Sequence, residues 1–366
     1  MERHRRAAGL AAWLGPWSKG SPREVSRVRR ALDAPGGALD VHVFEPARRR
    51  ATGGLLVVPG LHPRGPDDPR LDRFCRVLAD SGLLVVAPFV RTHLALEVAP
   101  AAAEDVAVAL RLLADLTRAR GLPRPAALSI SFGSLPMLEV AARPLEGGLV
   151  GGLIVFGGYV DFGATIRFAA TGRAYDCGVP LALPHDPLNA PALFVNLAPY
   201  LDVEGPRGPL VAAWHEMACR TWGKPELRPP ERRVPLADEL ARTLPPSQRA
   251  LFFVGAGLAP GAEACLDLAL ARAGERFGFA DPRPSLARLR APLLIAHGRD
   301  DDVIPWVEAP KLAAACPPGL PVAVALSGMF GHTGAAFPGP RSLVAELGSL
   351  RALMLGLVDA PHERLA

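Results

Sequence analysis

The chain has 366 residues, of which 49% are hydrophobic and 21% charged. This length suits one large α/β core that carries an insertion, and the apolar content excludes a mostly disordered protein. The net charge of +5 is concentrated in the first 50 residues, which carry eleven Lys and Arg against five Asp and Glu. Because no aromatic-basic platform accompanies these arginines, we expect no nucleic-acid partner.

Residues 1–37 are predicted to be a basic N-terminal extension. Apolar residues recur in it at i, i+3, i+4 and i+7, namely Leu10, Trp13, Leu14 and Trp17. This spacing is typical of a short amphipathic helix. We interpret the helix as docked on the main body of the protein. The alternative is a peripheral membrane anchor, because tryptophans flanked by arginines suit a lipid interface.

Strands alternate with helices through residues 38–162, which form the first part of the predicted core. The predicted strands are Ala38–Glu45, Gly54–Val58, Leu83–Ala87, Ala126–Ile130 and Leu153–Phe156. The predicted helices between them are Asp72–Asp80, Ala101–Arg120 and Ser134–Ala142. This alternation predicts an α/β fold with a mostly parallel central sheet and helices on both faces.

The alternation stops in residues 163–289, which are rich in Pro, Arg and Trp and contain helical segments but no strand series. It resumes in residues 290–366, with apolar strands at "PLLIAHG" and "PVAVALSG" and a final helix over Ser342–Leu357. The sequence therefore predicts one sheet domain with a helical cap inserted into it.

The five cysteines are scattered and show no CxxC spacing. This pattern argues against both a zinc site and a disulfide framework, and it favours a reducing compartment. We therefore predict a cytoplasmic protein.

A candidate nucleophile lies in the stretch Ala127–Pro136, "ALSISFGSLP". Here a predicted strand leads into a helix, with Ser129 two residues before Ser131 and Gly133 two residues after it. A nucleophilic serine needs such a sharp turn, and small residues at these two positions let the helix and strand backbones approach each other. The alternative is an ordinary serine at the end of a strand.

An acid and a base follow two later strands. Asp301, in "AHGRDDDVIP", comes after an apolar strand, at the edge where α/β sheets place their sites. We prefer it to Asp300 and Asp302, and Asp302 in particular has an alternative role as a helix cap. His332, in "SGMFGHTG", lies in a glycine-rich loop after the last predicted strand and is the candidate base.

The order Ser, Asp, His, with each residue after a strand, resembles the α/β-hydrolase family. The resemblance covers Ala38–Phe162 and Pro292–Leu357, and the intervening segment stands where that family has its cap. It implies a catalytic triad of Ser131, His332 and Asp301.

The resemblance also implies an oxyanion hole, formed by the backbone N–H of Phe132 and by a second donor in "VVPGLHPRG". Leu61 holds the position that resembles the family's second donor, and His62 is the alternative. The chain departs from the family pattern at Ser129, where glycine is common, and has Pro-Gly where His-Gly is usual. Asp161 is an alternative acid, because some family members place the acid after this strand.

The predicted function is that of a serine hydrolase that cleaves a carboxylic ester or thioester. A serine at this position disfavours dehalogenase and epoxide hydrolase chemistry, which needs a carboxylate nucleophile. We expect a lipophilic substrate of small to medium size, because the insertion is rich in aromatic residues. No metal or organic cofactor is implied. The alternatives are an acyltransferase with the same triad, a hydrolase of C–C bonds, and a non-catalytic binding protein.

Overall fold

The computed structural model describes residues 2–14, 18, 20–328, 330–331, 334–335 and 343–362, and its centre is an eight-stranded sheet. The sheet strands are β1 Val25–Ala34, β2 Gly37–Pro46, β3 Gly53–Val58, β4 Leu83–Pro88, β5 Ala126–Ile130, β6 Gly152–Phe156, β9 Leu293–Gly298 and β10 Val322–Ser327. A cap hairpin contains β7 Arg173–Asp176 and β8 Val179–Ala182, and two short strands, β11 Phe330–Gly331 and β12 Gly334–Ala335, pair with each other.

The strand order across the sheet is β1-β2-β4-β3-β5-β6-β9-β10. The six strands from β4 to β10 pair in parallel, whereas β1 and β2 are antiparallel to their neighbours. Every residue of β3, β4 and β9 is buried, since helices cover both faces of the sheet. The predicted mostly parallel sheet with helices on both faces is confirmed.

The helices fall into two layers and a cap. One face of the sheet packs against α4, α5, α13 and α14, and the opposite face against α1, α2 and α15. The helix bounds are α1 Glu2–Leu14, α2 Pro69–Asp80, α3 Arg91–Leu94, α4 Ala102–Ala119, α5 Ser134–Ala142, α6 Pro144–Gly147, α7 Phe162–Thr171, α8 Ala190–Leu197, α9 Gly208–Thr221, α10 Pro230–Ala241, α11 Pro246–Gly255, α12 Ala262–Ala273, α13 Arg283–Leu286, α14 Glu308–Ala314 and α15 Leu343–Asp359.

The boundary predicted for the N-terminal extension needs a correction. Strand β1 lies within residues 1–37 and pairs with β2 along its whole length, so the sheet begins at Val25. Most β1 side chains are exposed, because β1 is an edge strand. An exposed edge strand lacks the apolar alternation by which strands are recognised in a sequence.

Helix α1 docks on the main body, as the first interpretation predicted. Leu10 is fully buried and packs in the same cluster as α2 and α15, with Trp13 partly buried beside it. The guanidinium of Arg3 is paired with Asp359 on α15. The apolar stripe thus faces protein, and Trp17 lies outside the described residues. Among the helices of the described part, none is long and apolar enough to span a membrane.

The insertion forms a cap of helices α7–α12 and contains one hairpin that the sequence analysis did not predict. Its two four-residue strands join at Cys177 and Gly178, which both have positive φ (46° and 84°). The cap core is continuous with residues of the sheet domain, including Leu135, Tyr159 and Ile304. The cap therefore covers the edge of the sheet where the parallel strands end.

Candidate active site

Ser131 occupies a strained turn between β5 and α5. Ile130 is still extended, whereas Ser131 has φ of +54° and opens a short 3-10 helix, Ser131–Gly133, that continues into α5. Residues other than glycine rarely adopt this left-handed conformation, and where they do, the strain is often associated with function. A nucleophilic serine on a strand-to-helix turn has this geometry.

The turn brings the helix backbone very close to β3. A Cβ atom added at Gly133 would lie 2.5 Å from the Pro59 carbonyl oxygen and 2.8 Å from that of Val58. Glycine is therefore required at this position. Ser129 is fully buried in β5, and among the described residues its hydroxyl has no hydrogen-bond partner. The backbone thus tolerates serine in place of the family's glycine.

A cavity of about 300 Å³ opens beside Ser131, between the sheet and the cap. Both predicted oxyanion residues, Leu61 and Phe132, line it together with Ser131. Most of its wall is apolar and comes from the cap and from α2, including Phe74, Phe162, Ile166, Leu193 and Leu197. The structure thus brings the nucleophile candidate and both donor candidates to one apolar cavity.

The loop after β3 approaches the nucleophile closely. A Cβ atom added at Gly60 would lie 3.1 Å from the Cβ of Ser131 and 3.6 Å from its Oγ. The N–H of His62 already donates to the carbonyl of His93 (3.2 Å). In the described part of the chain, the N–H of Leu61 has no such backbone partner. Of the two alternatives for the second donor, the geometry favours Leu61.

Asp301 follows β9, which is separated from β5 by β6 alone. Ser131 and Asp301 therefore lie after two strands that end at the same edge of the sheet. The carboxylate is almost fully buried, and its Oδ1 accepts hydrogen bonds from the N–H groups of Val303 and Ile304 at 2.9 Å each. Its Oδ2 is 3.5 Å from Nε2 of the buried His297. The carboxylate is thus held in a fixed orientation.

Asp302 has a different role from the helix cap considered above. Its Oδ2 accepts a hydrogen bond at 2.7 Å from Arg228, which also contacts the carboxylate of Asp186 at 2.9 Å. The N–H of Asp186 donates to the Asp302 carbonyl at 3.0 Å. Because Asp186 and Arg228 belong to the cap, this bridge ties the cap to the loop that carries Asp301. We call it the Arg228 bridge.

Asp161, the alternative acid, is a helix cap in the structure. Its Oδ1 accepts from the N–H of Ala164 in the first turn of α7 (2.9 Å). Its own N–H donates to the buried carboxylate of Glu308 (2.8 Å). These bonds give Asp161 a structural function, and Asp301 remains the preferred acid.

The predicted base, His332, lies outside the described residues. Among the described histidines, His62 lines the cavity, but both of its ring nitrogens are engaged. Its Nδ1 accepts from the N–H of Arg64 (3.2 Å), and its Nε2 is 3.4 Å from the Asp68 carboxylate. His297 is buried against the carbonyl of Ile304 (2.9 Å). In the described part of the chain neither ring is hydrogen-bonded to Ser131, so His332 stays the predicted base.

Several cavity residues were not singled out from the sequence, among them Asp68, Arg70 and Trp222. An ionic group at one end of the cavity contains His62, Asp68 and Arg70, and the His62 ring stacks on Trp222 of the cap. Burial lowers the pKa of His62. Burial alone would raise the pKa of Asp68, but the Arg70 guanidinium outweighs it and holds that pKa below its usual range. These residues lie in loops and at helix ends, where no periodicity marks them.

The described residues include no cluster of three or more His, Cys, Asp or Glu side chains with a metal-binding arrangement. Several of the polar groups that line the cavity pair with one another or with the backbone. Asn196 is an example, because its amide bonds the carbonyl of Leu96 (2.8 Å) and the N–H of Val98 (2.8 Å).

Known proteins give a match at the level of the fold. No protein-family model matches the sequence, and no curated protein is significantly similar to it. Brefeldin A esterase, described as a bacterial homologue of human hormone-sensitive lipase, matches over 99% of this chain and 87% of its own, with 16% identity and a TM-score of 0.52. An esterase of Pyrobaculum calidifontis matches over 100% of this chain and 92% of its own, with 15% identity and a TM-score of 0.46.

An acylaminoacyl peptidase of Pyrococcus horikoshii matches over 91% of this chain, at 12% identity and a TM-score of 0.48, but this covers 40% of the peptidase. Of these likenesses, that to brefeldin A esterase is the one strong enough to assign a fold. The chain has the α/β-hydrolase fold, as the resemblance in its sequence predicted.

Proposed function

We propose that the chain is a serine hydrolase that cleaves a carboxylic ester or thioester of a lipophilic, small to medium substrate. The observation that carries the proposal is the left-handed backbone of Ser131 at the mouth of an apolar cavity, against the loop that holds Gly60 and Leu61. The fold is consistent with this activity but hosts many others, so the argument depends on the site.

In the proposed reaction, the Ser131 hydroxyl attacks the acyl carbonyl carbon while His332 takes its proton. The negative charge that develops on the carbonyl oxygen is stabilised by the N–H groups of Phe132 and Leu61. His332 then gives its proton to the leaving alcohol or thiol, and an acyl-enzyme remains. Water attacks this ester by the same route, which releases the acid and restores Ser131. Asp301 orients the imidazole throughout.

The cavity limits the size of the substrate. Its volume of about 300 Å³ lies at the small end of the range of ligand pockets, which is roughly 300–1,000 Å³. This suits a medium-chain acyl group rather than a long one. The apolar wall contributes binding energy in proportion to the area that the acyl chain buries.

Labelling with a fluorophosphonate probe tests the nucleophile. We expect the parent protein to be labelled and Ser131→Ala to be unlabelled, with His332→Ala labelled much more slowly. Ser134→Ala is the matched control, because Ser134 is also a buried serine but does not line the cavity. Equal labelling of the parent and Ser131→Ala would exclude the proposed nucleophile and favour a non-catalytic binding protein.

A series of p-nitrophenyl esters tests the substrate class. We expect kcat/KM to rise with acyl length up to about eight carbons and to fall for longer chains, since the cavity lies at the small end of the range of ligand pockets. Ala169→Leu adds bulk to the cavity wall and should move the optimum to shorter chains, whereas Ala212→Leu, on the exposed side of α9, should not. A preference for small polar esters would contradict the lipophilic assignment.

The acyltransferase alternative uses the same residues and differs in the group that attacks the acyl-enzyme. Adding an alcohol or a thiol to the ester assay separates the two reactions. Transfer to the added nucleophile that exceeds hydrolysis at low millimolar concentration would favour the transferase.

A further inference from the structure

The segment 91–98, which contains α3 and the turn after it, runs beneath the loop that carries the proposed oxyanion donor. Three kinds of contact join the two: a side-chain hydrogen bond, a backbone hydrogen bond and an apolar cluster. No residue of the segment 91–98 was singled out from the sequence, and the proposed reaction uses none of them directly.

His93 makes the first two contacts. Its side chain is 2% exposed, and its Nδ1 lies 3.0 Å from the carbonyl oxygen of Pro59. Its own carbonyl accepts the N–H of His62 at 3.2 Å. One residue thus bonds the backbone immediately before Gly60 and immediately after Leu61.

Burial holds the pKa of His93 well below its usual range, at about 4. The ring is therefore neutral at neutral pH. Since a carbonyl oxygen accepts, Nδ1 must carry the hydrogen that it donates to Pro59. This hydrogen bond is intact throughout the pH range in which a serine hydrolase with a histidine base is active.

The segment is itself firmly held. The N–H and guanidinium of Arg91 bind the buried carboxylate of Asp105, at 2.9 Å for the N–H. Leu96 has φ of +61°, a strained conformation for leucine, and is fully buried in a cluster with Leu61 and Ala192. The Asn196 amide fixes this turn from α8 of the cap.

We infer that His93 is a positioning residue, which sets the backbone of Gly60 and Leu61 so that the Leu61 N–H is directed toward the oxyanion before substrate binds. This inference rests on the proposed function for its catalytic consequence. Because Asn196 holds the same segment from the cavity wall, the cap contributes to this preorganisation. An oxyanion hole stabilises the transition state most when its donors are fixed in advance.

The first test needs no enzyme activity. Hydrogen–deuterium exchange is measured on the peptide that covers residues 59–64, in which the amides of His62 and Arg64 are hydrogen-bonded. In His93→Leu the loop loses the buried hydrogen bond between the His93 ring and the Pro59 carbonyl, and we expect its amides to exchange about fivefold faster. In His93→Asn, whose side-chain amide retains a donor, exchange should stay near the parent rate. Unchanged exchange in a folded His93→Leu would overturn the inference.

The second test is kinetic. With the best ester found, His93→Leu should lower kcat by about 10- to 100-fold and change KM by less than about threefold, because the lost contact acts in the transition state. The Ki of a trifluoromethyl ketone that adds to Ser131 should rise in parallel. His93→Asn should recover most of kcat, and His215→Leu, a half-buried histidine in the cap, should match the parent.

A further variant covers the case in which His93→Leu does not fold. Asn196 is half-buried, and Asn196→Ala removes the two hydrogen bonds by which it holds the Leu96 turn. This variant should also show faster exchange in residues 59–64 and a lower kcat, with both effects smaller than in His93→Leu. A parent without hydrolase activity or probe labelling would refute the proposed function, while the exchange result would still decide the inference. An active parent with unchanged kcat in folded His93→Leu would refute the inference alone.

Discussion

The loop that holds Gly60 and Leu61 is called the oxyanion loop below. Gly60→Ala is the most direct test of how closely this loop approaches the nucleophile. The added Cβ would lie 3.1 Å from the Ile130 carbonyl oxygen, 3.1 Å from the Ser131 Cβ and 3.6 Å from its Oγ. The two contacts at 3.1 Å are a few tenths of an ångström too short, so either the loop or Ser131 must move. Gly60 does not have positive φ, so alanine is compatible with its backbone.

The expected effect is on activity more than on stability. A displacement of about 1 Å at reacting atoms costs on the order of 100-fold, so a shift of a few tenths should lower kcat/KM by about 10-fold or somewhat more. That is roughly 1.4 kcal/mol in the barrier. The strain of one added methyl group should cost less than about 2 kcal/mol of unfolding free energy.

Two further glycines serve as comparisons for this variant. Gly133→Ala places its Cβ 2.5 Å from a backbone oxygen and should destabilise the fold by about 3 kcal/mol or more. Gly348→Ala, in α15, meets nothing within 4 Å and should leave activity unchanged while it raises stability by up to about 1 kcal/mol.

The assay pairs ester kinetics with urea unfolding of each purified variant. Full activity of a folded Gly60→Ala would refute the inferred approach of the oxyanion loop to Ser131. So would a loss of stability as large as that of Gly133→Ala, because activity would then fall for a structural reason.

Three more predictions concern stability. Ser129→Ala removes a buried hydroxyl that has no partner in the described part of the chain. Thermal unfolding should show a gain in stability of about 1 kcal/mol. A loss of stability would mean that the hydroxyl is hydrogen-bonded. The pKa of His93 is lowered to about 4, so the unfolded chain takes up a proton between about pH 6.5 and pH 4 that the folded chain does not. The free energy of unfolding should therefore decrease by on the order of 3 kcal/mol as the pH falls from about 6.5 to about 4. Urea titrations should show a smaller decrease in His93→Asn. Arg228→Leu leaves two buried carboxylates without their shared guanidinium and should cost about 2 kcal/mol of unfolding free energy. Arg272→Leu breaks an exposed pair and should leave stability almost unchanged. Equal losses of stability in the two variants would show that the Arg228 bridge contributes no more than an exposed ion pair.

Local sequence patterns predicted most of the sheet domain. Buried strands such as β3 and β4 are continuous apolar runs because helices cover both of their faces, and this signal needs no tertiary information. Ser131 was selected as the candidate nucleophile because small residues flank it at the spacing of a nucleophile turn and because Asp301 and His332 follow it in the order of the triad. Strand β1 was not predicted because most of its side chains are exposed, so its sequence lacks the apolar pattern of a buried strand.

The remaining site residues have no local signature. His93, Asn196 and Arg228 act through bonds to residues 34, 100 and 74 positions away in the chain. The sequence around these residues does not predict such a bond, because the partner is a backbone carbonyl or a carboxylate in another element. The sequence favoured Asp301 as the acid and left Asp161 as an alternative, since each follows a parallel strand. In the structure, Asp161 caps α7, whereas the Asp301 carboxylate is held by the N–H groups of its own loop.

The sequence by itself determined the α/β architecture, the place of the insertion and the order of the candidate triad, because burial on both faces and backbone crowding constrain residues that are close along the chain. The tertiary structure alone decided which backbone N–H beside Ser131 has no backbone partner among the described residues, how large the cavity is, and which residues hold the oxyanion loop. These properties depend on contacts between distant segments, and such contacts exist only when the sheet and cap have packed together.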